Sequence, residues 1–257
     1  MKKNHNRHTR RSVECFLISI GSSGLGAATA RMIIQEDGQV IIADLNQAAG
    51  NALAKELGDR VYFIDTDVSS EISFKTSIDT AVTVFGGLHG LINWVPPTKK
   101  VLGKDGAHNF DDFACVIQIN LIGTFNMLRL EAEAISKTEP NTDGERGVII
   151  NTASVATFDG QIGQAAYASS KGGVVALTLP VARKLGRFGI RVMTIAPGIM
   201  EIPMLPGMPT KVQEARGKMV PFPSRMGRPA EFALLVKTIF ENAYLNGEVI
   251  RLDGSYG

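Results

Sequence analysis

The 257-residue sequence predicts an α/β fold: a single domain with a doubly wound sheet of about seven mostly parallel strands and helices on both faces. Two observations carry that expectation. Short, almost wholly apolar runs such as Val40-Ile41-Ile42-Ala43 and Val148-Ile149-Ile150 lack the in–out alternation of a sheet with one wet face, so their strands are covered on both sides. These runs also alternate with longer segments of helical periodicity, and strand–helix–strand connections in one sheet are right-handed crossovers between parallel strands.

Taken in order, Val13 to Ile20 reads as a buried strand, followed by a glycine turn and a helix from Gly24 to Glu36. Gln39 to Asp44 is the second strand and Gln47 to Leu57 a helix, with Val61 to Ile64 as the third strand and Ile72 to Phe85 as its helix. Leu88 to Val95 is the fourth strand. A loop over Pro96 to Asn109 then leads to a long helix over Phe110 to Ile135. Val148 to Ala153, a helix over Gln164 to Leu185, Ile190 to Ala196 and Glu248 to Leu252 complete the pattern. No internal repeat or linker divides the chain, so residues 13–257 read as one domain behind a basic tail of residues 1–12.

Composition fits a globular α/β protein, with 44% apolar and 20% charged residues. No apolar run is read as long enough to span a bilayer, so no membrane partner is expected. Cys15 and Cys115 both fall in segments expected to be buried, as small core residues in a reducing compartment, without metal-ligand spacing. The net charge of +2 is uneven, because Lys2, Lys3, Arg7, Arg10 and Arg11 give residues 1–12 a charge of +5. That tail reads either as a solvated, disordered arm or as a nucleic-acid contact or transit peptide. It lacks the apolar stretch of a secretory signal, and the expected compartment is the cytoplasm, or the mitochondrial matrix in a eukaryote.

Two constellations point to chemistry. Tyr167 and Lys171 stand four residues apart on a predicted helix, so they share a face. A cation beside a phenol favours the phenolate and lowers its pKa from about 10, which would let Tyr167 exchange a proton with an alcohol or ketone near neutral pH. Ser154, thirteen residues before the tyrosine at the end of a strand, is placed to hydrogen-bond the same substrate oxygen.

The second constellation is the turn Gly21-Ser22-Ser23-Gly24-Leu25-Gly26 between the first strand and the first helix. Glycines there let the backbone approach a pyrophosphate at the positive end of the helix. Asp44 closes the next strand, 18 residues after Gly26. An acid in that position binds the adenosine ribose hydroxyls and repels a 2′-phosphate, which favours NAD over NADP.

With these motifs, the sequence resembles the short-chain dehydrogenase/reductase family over residues 12–254, and within it the subgroup acting on 3-hydroxyacyl-CoA. The resemblance rests on Asn151-Thr152-Ala153-Ser154-Val155-Ala156, Gly160-Gln161-Ile162-Gly163-Gln164-Ala165-Ala166-Tyr167, Arg191-Val192-Met193-Thr194-Ile195-Ala196-Pro197-Gly198, Val220-Pro221-Phe222-Pro223-Ser224-Arg225 and Asn246-Gly247-Glu248-Val249-Ile250-Arg251-Leu252-Asp253-Gly254.

It implies a Rossmann-like fold and an NAD-dependent oxidoreductase exchanging a hydride with a secondary alcohol or ketone, 3-hydroxyacyl-CoA or 3-ketoacyl-CoA above all. Ser154 would polarise the carbonyl, Tyr167 serve as acid and base, and Lys171 tune the tyrosine and hold the nicotinamide ribose. Asn120 would order a water on the proton path. Asp67 and Val68 would contact adenine, Asn93 and Met200 the cofactor, and Gln161 the substrate. A homotetramer is also implied, and nucleic acid is not an expected partner. The alternative is a cofactor-impaired member acting as a structural or RNA-binding subunit.

Three departures from the family pattern surround the cofactor. Ile20 stands where the turn usually has a glycine, a costly place for a β-branched residue if the backbone is left-handed. Trp94-Val95 follow Asn93 where small residues are usual, and Ile202 replaces a threonine before Pro203. Two further segments read as substrate contacts: Thr98 to Asn109, whose lysines could attract CoA phosphates, and the methionine- and proline-rich Ile199 to Met219, as a lid over an acyl chain.

Overall fold

The computed structural model describes residues 14–89, 91–92, 102–103, 106–202 and 210–256. The first half is β1 (Cys15–Ser19), α1 (Gly24–Gln35), β2 (Gln39–Asp44), α2 (Gln47–Leu57), β3 (Val61–Asp65), α3 (Glu71–Phe85) and β4 (Leu91–Ile92). A small hairpin follows, β5 (Leu102–Gly103) with β6 (Gly106–Ala107), and then α4 (Phe110–Ile117) and α5 (Gly123–Ser136). The second half is β7 (Gly147–Thr152), α6 (Ala165–Leu185), β8 (Ile190–Pro197), α7 (Thr210–Lys218), α8 (Pro229–Glu241) and β9 (Val249–Leu252).

The strands form a four-stranded parallel sheet in the order β3-β2-β1-β4 and a three-stranded parallel sheet in the order β7-β8-β9. The expected single sheet is thus recorded as two parallel ladders, joined where Val148 N–H donates to the His89 carbonyl at 3.1 Å. The chain order reverses between β1 and β4, the place where ligands bind beyond the carboxyl ends of strands in open α/β sheets.

The sheet is apolar on both faces because alternate residues serve two cores. Phe16, Ile18, Val40 and Ile42 pack with Leu25, Ala30 and Ile33 of α1 and with Phe232, Val236 and Ile239 of α8. Cys15, Leu17, Ile41 and Ala43 face the other way, onto Phe74 and Ile78 of α3 and Met127 and Leu130 of α5. On β7, Ile149 joins Leu128, Ile135 and Ala182 on the α5–α6 side.

Several expectations change. Helix α8 and the hairpin were not anticipated, and much of the expected lid segment is the helix α7. The long predicted helix is broken at 118–122 by one turn of π-helix. By length and composition alone, the column from Phe110 to Ser136 could cross a bilayer, but Met127, Leu128, Leu130 and Ile135 bury its inner face in the protein core. Cys15 is buried, and burial pushes its thiol up to about 12. Cys115 is exposed, contrary to expectation, because it lies on the outer face of α4, which buries Val116. The basic tail, Asn93, Trp94 and Lys99, Lys100 and Lys104 lie outside the described residues.

Candidate active site

The glycine turn follows from the way β1 must reverse into α1 within a few residues. Ile20 N–H donates to the Ala43 carbonyl at 2.7 Å, which pins the turn against the end of β2. Its φ of 51° is left-handed, the conformation that a β-branched residue adopts at a cost. The turn then closes backbone on backbone: a Cβ on Gly26 would stand 2.7 Å from the Gly21 Cα and from the Ile20 carbonyl oxygen. The first turn of α1 holds no acid, and the side chain of its N-cap residue, Ser23, makes no capping bond. The helix N-terminus therefore keeps its positive end and free N–H groups for an anion. Leu25 is buried beside it and lines the cavity that also holds Ser154 and Tyr167.

Asp44 sits at the carboxyl end of β2, 7% exposed. Its Oδ2 accepts from Ser22 N–H at 3.1 Å and from the Ser22 hydroxyl, and its Oδ1 accepts from Asn46 N–H at 3.0 Å. The carboxylate thus braces the glycine turn before any ligand arrives. The glycine contacts, the open helix end and the buried acid at the end of the second strand fit a dinucleotide. Asp67 Oδ1 is held by the Ser69 N–H and hydroxyl just beyond the carboxyl end of β3, and Val68 packs into the core.

Ser154, Tyr167 and Lys171 meet at the carboxyl end of β7. Ser154 caps the short 3-10 turn Val155–Thr157, its Oγ accepting from Ala156 N–H at 3.2 Å. Tyr167 and Lys171 lie on the buried face of α6, 7% and 1% exposed. The Lys171 Nζ donates to the Thr152 carbonyl at 2.8 Å and stands 6.0 Å from the centre of the Tyr167 ring.

The electrostatics differ from the sequence expectation. Burial raises the Tyr167 pKa above 10, and a hydrogen bond from Ser154 only partly opposes it. Burial also pulls Lys171 down to about 7. In the free protein, then, desolvation outweighs the cation, and the four-residue spacing brings the lysine near the ring without lowering the phenol's pKa.

Asn120 lies in the π-turn, fully buried, with Nδ2 donating to the Ser170 hydroxyl at 3.0 Å. Ser170 in turn donates to the Tyr167 carbonyl at 2.7 Å, so the π-turn is tied to the helix that carries Tyr167 and Lys171. The Asn120 Oδ1 is buried without a hydrogen-bond partner. Turns of π-helix concentrate at functional sites.

A cavity of about 210 Å³ opens in front of Ser154 and Tyr167. Gln161, Met200 and Ile202 line it, as do Arg216 from α7 and Tyr256. Gln161 Nε2 donates to the Tyr256 hydroxyl, and Arg251 grips Asp159, Asp253 and the Tyr256 carbonyl. Sequence reasoning missed Ser22, Thr152, Ser170, Arg216 and Tyr256. Ser170 stands three residues after Tyr167, and that helical spacing would have found it. The others reach the site by folding or through backbone atoms.

Residues 14–213 match the family model described as short chain dehydrogenase. The chain is 51% identical over 243 residues to a 3-hydroxyacyl-CoA dehydrogenase type-2 of Drosophila melanogaster, covering 93% of this chain and 95% of that protein. It is 48% identical to the protein of the same name from Homo sapiens, with 93% of each covered. Among solved structures, 3-hydroxyacyl-CoA dehydrogenase type-2 from Mycobacterium avium aligns with a TM-score of 0.90 at 40% identity, over 95% of both chains. With the glycine turn, Asp44 and the Ser154–Tyr167–Lys171 cluster placed at one edge of a parallel sheet, these likenesses make the chain a member of the short-chain dehydrogenase family.

Proposed function

We propose that the protein is an NAD-dependent dehydrogenase that interconverts 3-hydroxyacyl-CoA and 3-ketoacyl-CoA. The observation that carries this reading is the cluster of Ser154, Tyr167 and Lys171, the first two of which line a cavity shared with Leu25 of the glycine turn. Gly21, Ser23, Gly24, Leu25 and Gly26 would hold the cofactor's pyrophosphate and Asp44 its adenosine ribose, with Asp67 and Val68 at the adenine, Met200 near the nicotinamide and Lys171 on its ribose. When bound, NAD supplies the hydride acceptor for alcohol oxidation.

The chain's own groups manage the proton. The Ser154 hydroxyl holds the substrate oxygen, and Gln161 orients the substrate. Tyr167, as phenolate, takes the hydroxyl proton in oxidation and returns it in reduction. Lys171, 6.0 Å from the ring centre, would stabilise the phenolate as it forms once the cofactor is in place. The partnerless Asn120 Oδ1 is a seat for one ordered water that relays the proton. The alternative of a structural or RNA-binding subunit has no support from relatives named as dehydrogenases.

We read the two ladders as halves of one seven-stranded sheet, because Val148 N–H bonds the His89 carbonyl just before β4. Residues 13–257 then form one domain. A homotetramer accounts for the exposed Phe110, Ile122, Phe125 and Leu179 on the outer faces of the 110–136 column and α6.

The deciding experiment is NADH oxidation with acetoacetyl-CoA. The wild type is expected to turn over, and Tyr167→Phe to lose about 10²-fold or more of kcat with its circular dichroism and NADH affinity kept. Full activity in the variant would refute the assignment.

A further inference from the structure

Among the described residues that line the cavity, Arg216 is the charged one without a partner. Of the described residues lining the space in front of Ser154 and Tyr167, only Asp159 and Arg216 carry charge. Asp159 is paired with Arg251, which also holds Asp253. Among the described residues Arg216 has no side-chain hydrogen bond or ion pair, although it is half-buried. A guanidinium stays protonated at any working pH and offers five donors in a planar fork that matches carboxylate and phosphate oxygens. A half-desolvated cation without a partner is costly, and an anionic ligand group would offset that cost. Much of the remaining lining is apolar, Ile199, Met200, Ile202 and Met219 among it. One cavity therefore combines the Ser154 and Tyr167 hydroxyls, apolar side chains and the Arg216 guanidinium.

We infer that Arg216 recognises the anionic end of the substrate and sets a preference for charged over neutral 3-hydroxy and 3-keto compounds. This rests on the dehydrogenase reading above. The anion has two possible sources, the phosphates of a CoA thioester or the carboxylate of a free short-chain acid. A cavity of about 210 Å³ has room for the acyl part of either and is too small for a whole CoA moiety.

The test compares acetoacetyl-CoA, free acetoacetate and the uncharged thioester S-acetoacetyl-N-acetylcysteamine in wild type, Arg216→Leu and Arg216→Lys. In Arg216→Leu, the ratio of kcat/KM for the charged substrate to that for the neutral thioester should fall about tenfold or more, the worth of a charge-assisted hydrogen bond. The fall should lie in KM rather than kcat, and Arg216→Lys should recover part of it. Loss with acetoacetyl-CoA alone identifies the phosphates, and loss with acetoacetate alone the carboxylate. An equal fall on the neutral thioester overturns the inference, as does an unchanged ratio. A raised Kd for NADH also overturns it, since the arginine would then serve the cofactor's phosphates.

If the wild type turns over none of the three, the dehydrogenase reading fails on its own. Calorimetric titration of CoA and of acetoacetate into the NADH-mixed protein then decides the arginine's role. Binding that is lost in Arg216→Leu and partly kept in Arg216→Lys supports the anion site, and binding that is absent or unaltered by the substitution refutes it.

Discussion

The Lys171 ammonium stands 6.0 Å from the centre of the Tyr167 ring and gives its hydrogen bond to the Thr152 carbonyl. The lysine is thus anchored to the last residue of β7, and the same bond links the strand that delivers Ser154 to the helix that delivers Tyr167. Its burial has a thermodynamic consequence. Lys171 binds its proton up to about pH 7 in the folded chain, against 10.5 for an ordinary lysine. Between those values the unfolded chain holds more protons, so this group makes stability rise with pH across that window, and its penalty is full below about pH 7. Lys171→Met should therefore stabilise the cofactor-free protein most at pH 6 to 7, with the gain fading towards pH 10, while activity drops about 10²-fold or more. Thermal melts of both proteins across that range check it, and a gain independent of pH would refute it.

Ser22 competes with a ligand for Asp44. A carboxylate offers about four acceptor positions, and Asp44 already receives the Ser22 N–H, the Ser22 hydroxyl and the Asn46 N–H. A ribose diol needs two. Ser22→Ala should free one and tighten NADH binding about threefold to tenfold, whereas Asp44→Ala should weaken it about tenfold or more and narrow the preference over NADPH. Fluorescence titration with both nucleotides measures this. Weaker NADH binding by Ser22→Ala would mean that the serine shapes the turn more than it obstructs the acid.

The parts of the fold legible in the sequence were those set by local pattern. The bounds of β2 and α2 matched because Val40–Ala43 is an unbroken apolar run closed by Gln39 and Asp44, and Asn46 is a good N-cap, accepting from Ala49 N–H at 3.1 Å. Helix α8 also had its signals in the sequence, with Pro229 at the first turn and Glu231 accepting the Arg228 N–H at 2.7 Å. The Ser154, Tyr167 and Asn120 cluster was legible as motif. What the motif could not convey was degree of burial. Spacing alone put a cation beside a phenol, but desolvation decides the pKa of both. Arg216 and Tyr256 were illegible for a different reason: they reach the cavity through long-range packing that no local pattern encodes.

Ile20 carries backbone strain that a single substitution can remove. Its φ of 51° costs a side chain with a Cβ about 1–2 kcal/mol. Ile20→Gly should recover part of that, less the packing of a half-buried side chain and the entropy of a freer unfolded chain. A rise in Tm of about 2–4 °C is expected, with NADH affinity equal or better. A fall in Tm would show that the isoleucine's packing outweighs its conformational cost.

Glu131 on α5 is the least comfortable group in the core. It is fully buried, and neither carboxylate oxygen has a hydrogen-bond partner. Burial raises its pKa well above the ordinary 4.5, so the folded chain keeps this proton where the unfolded chain has released it. Stability from this group is therefore intact below about pH 4.5 and declines as pH rises above it. Glu131→Leu, close in volume and without polar atoms, should stabilise the protein by about 1–4 kcal/mol at pH 8 and less at pH 5. At this chain length that corresponds to a Tm gain of about 2–4 °C per kcal/mol. Glu131→Gln separates the two costs, since it removes the pH dependence and leaves a buried amide still wanting partners. Melting curves at pH 5 and 8 read both variants. A Leu variant less stable than wild type at pH 8 would mean that the carboxyl has partners in the working assembly, and that the acid is held for them.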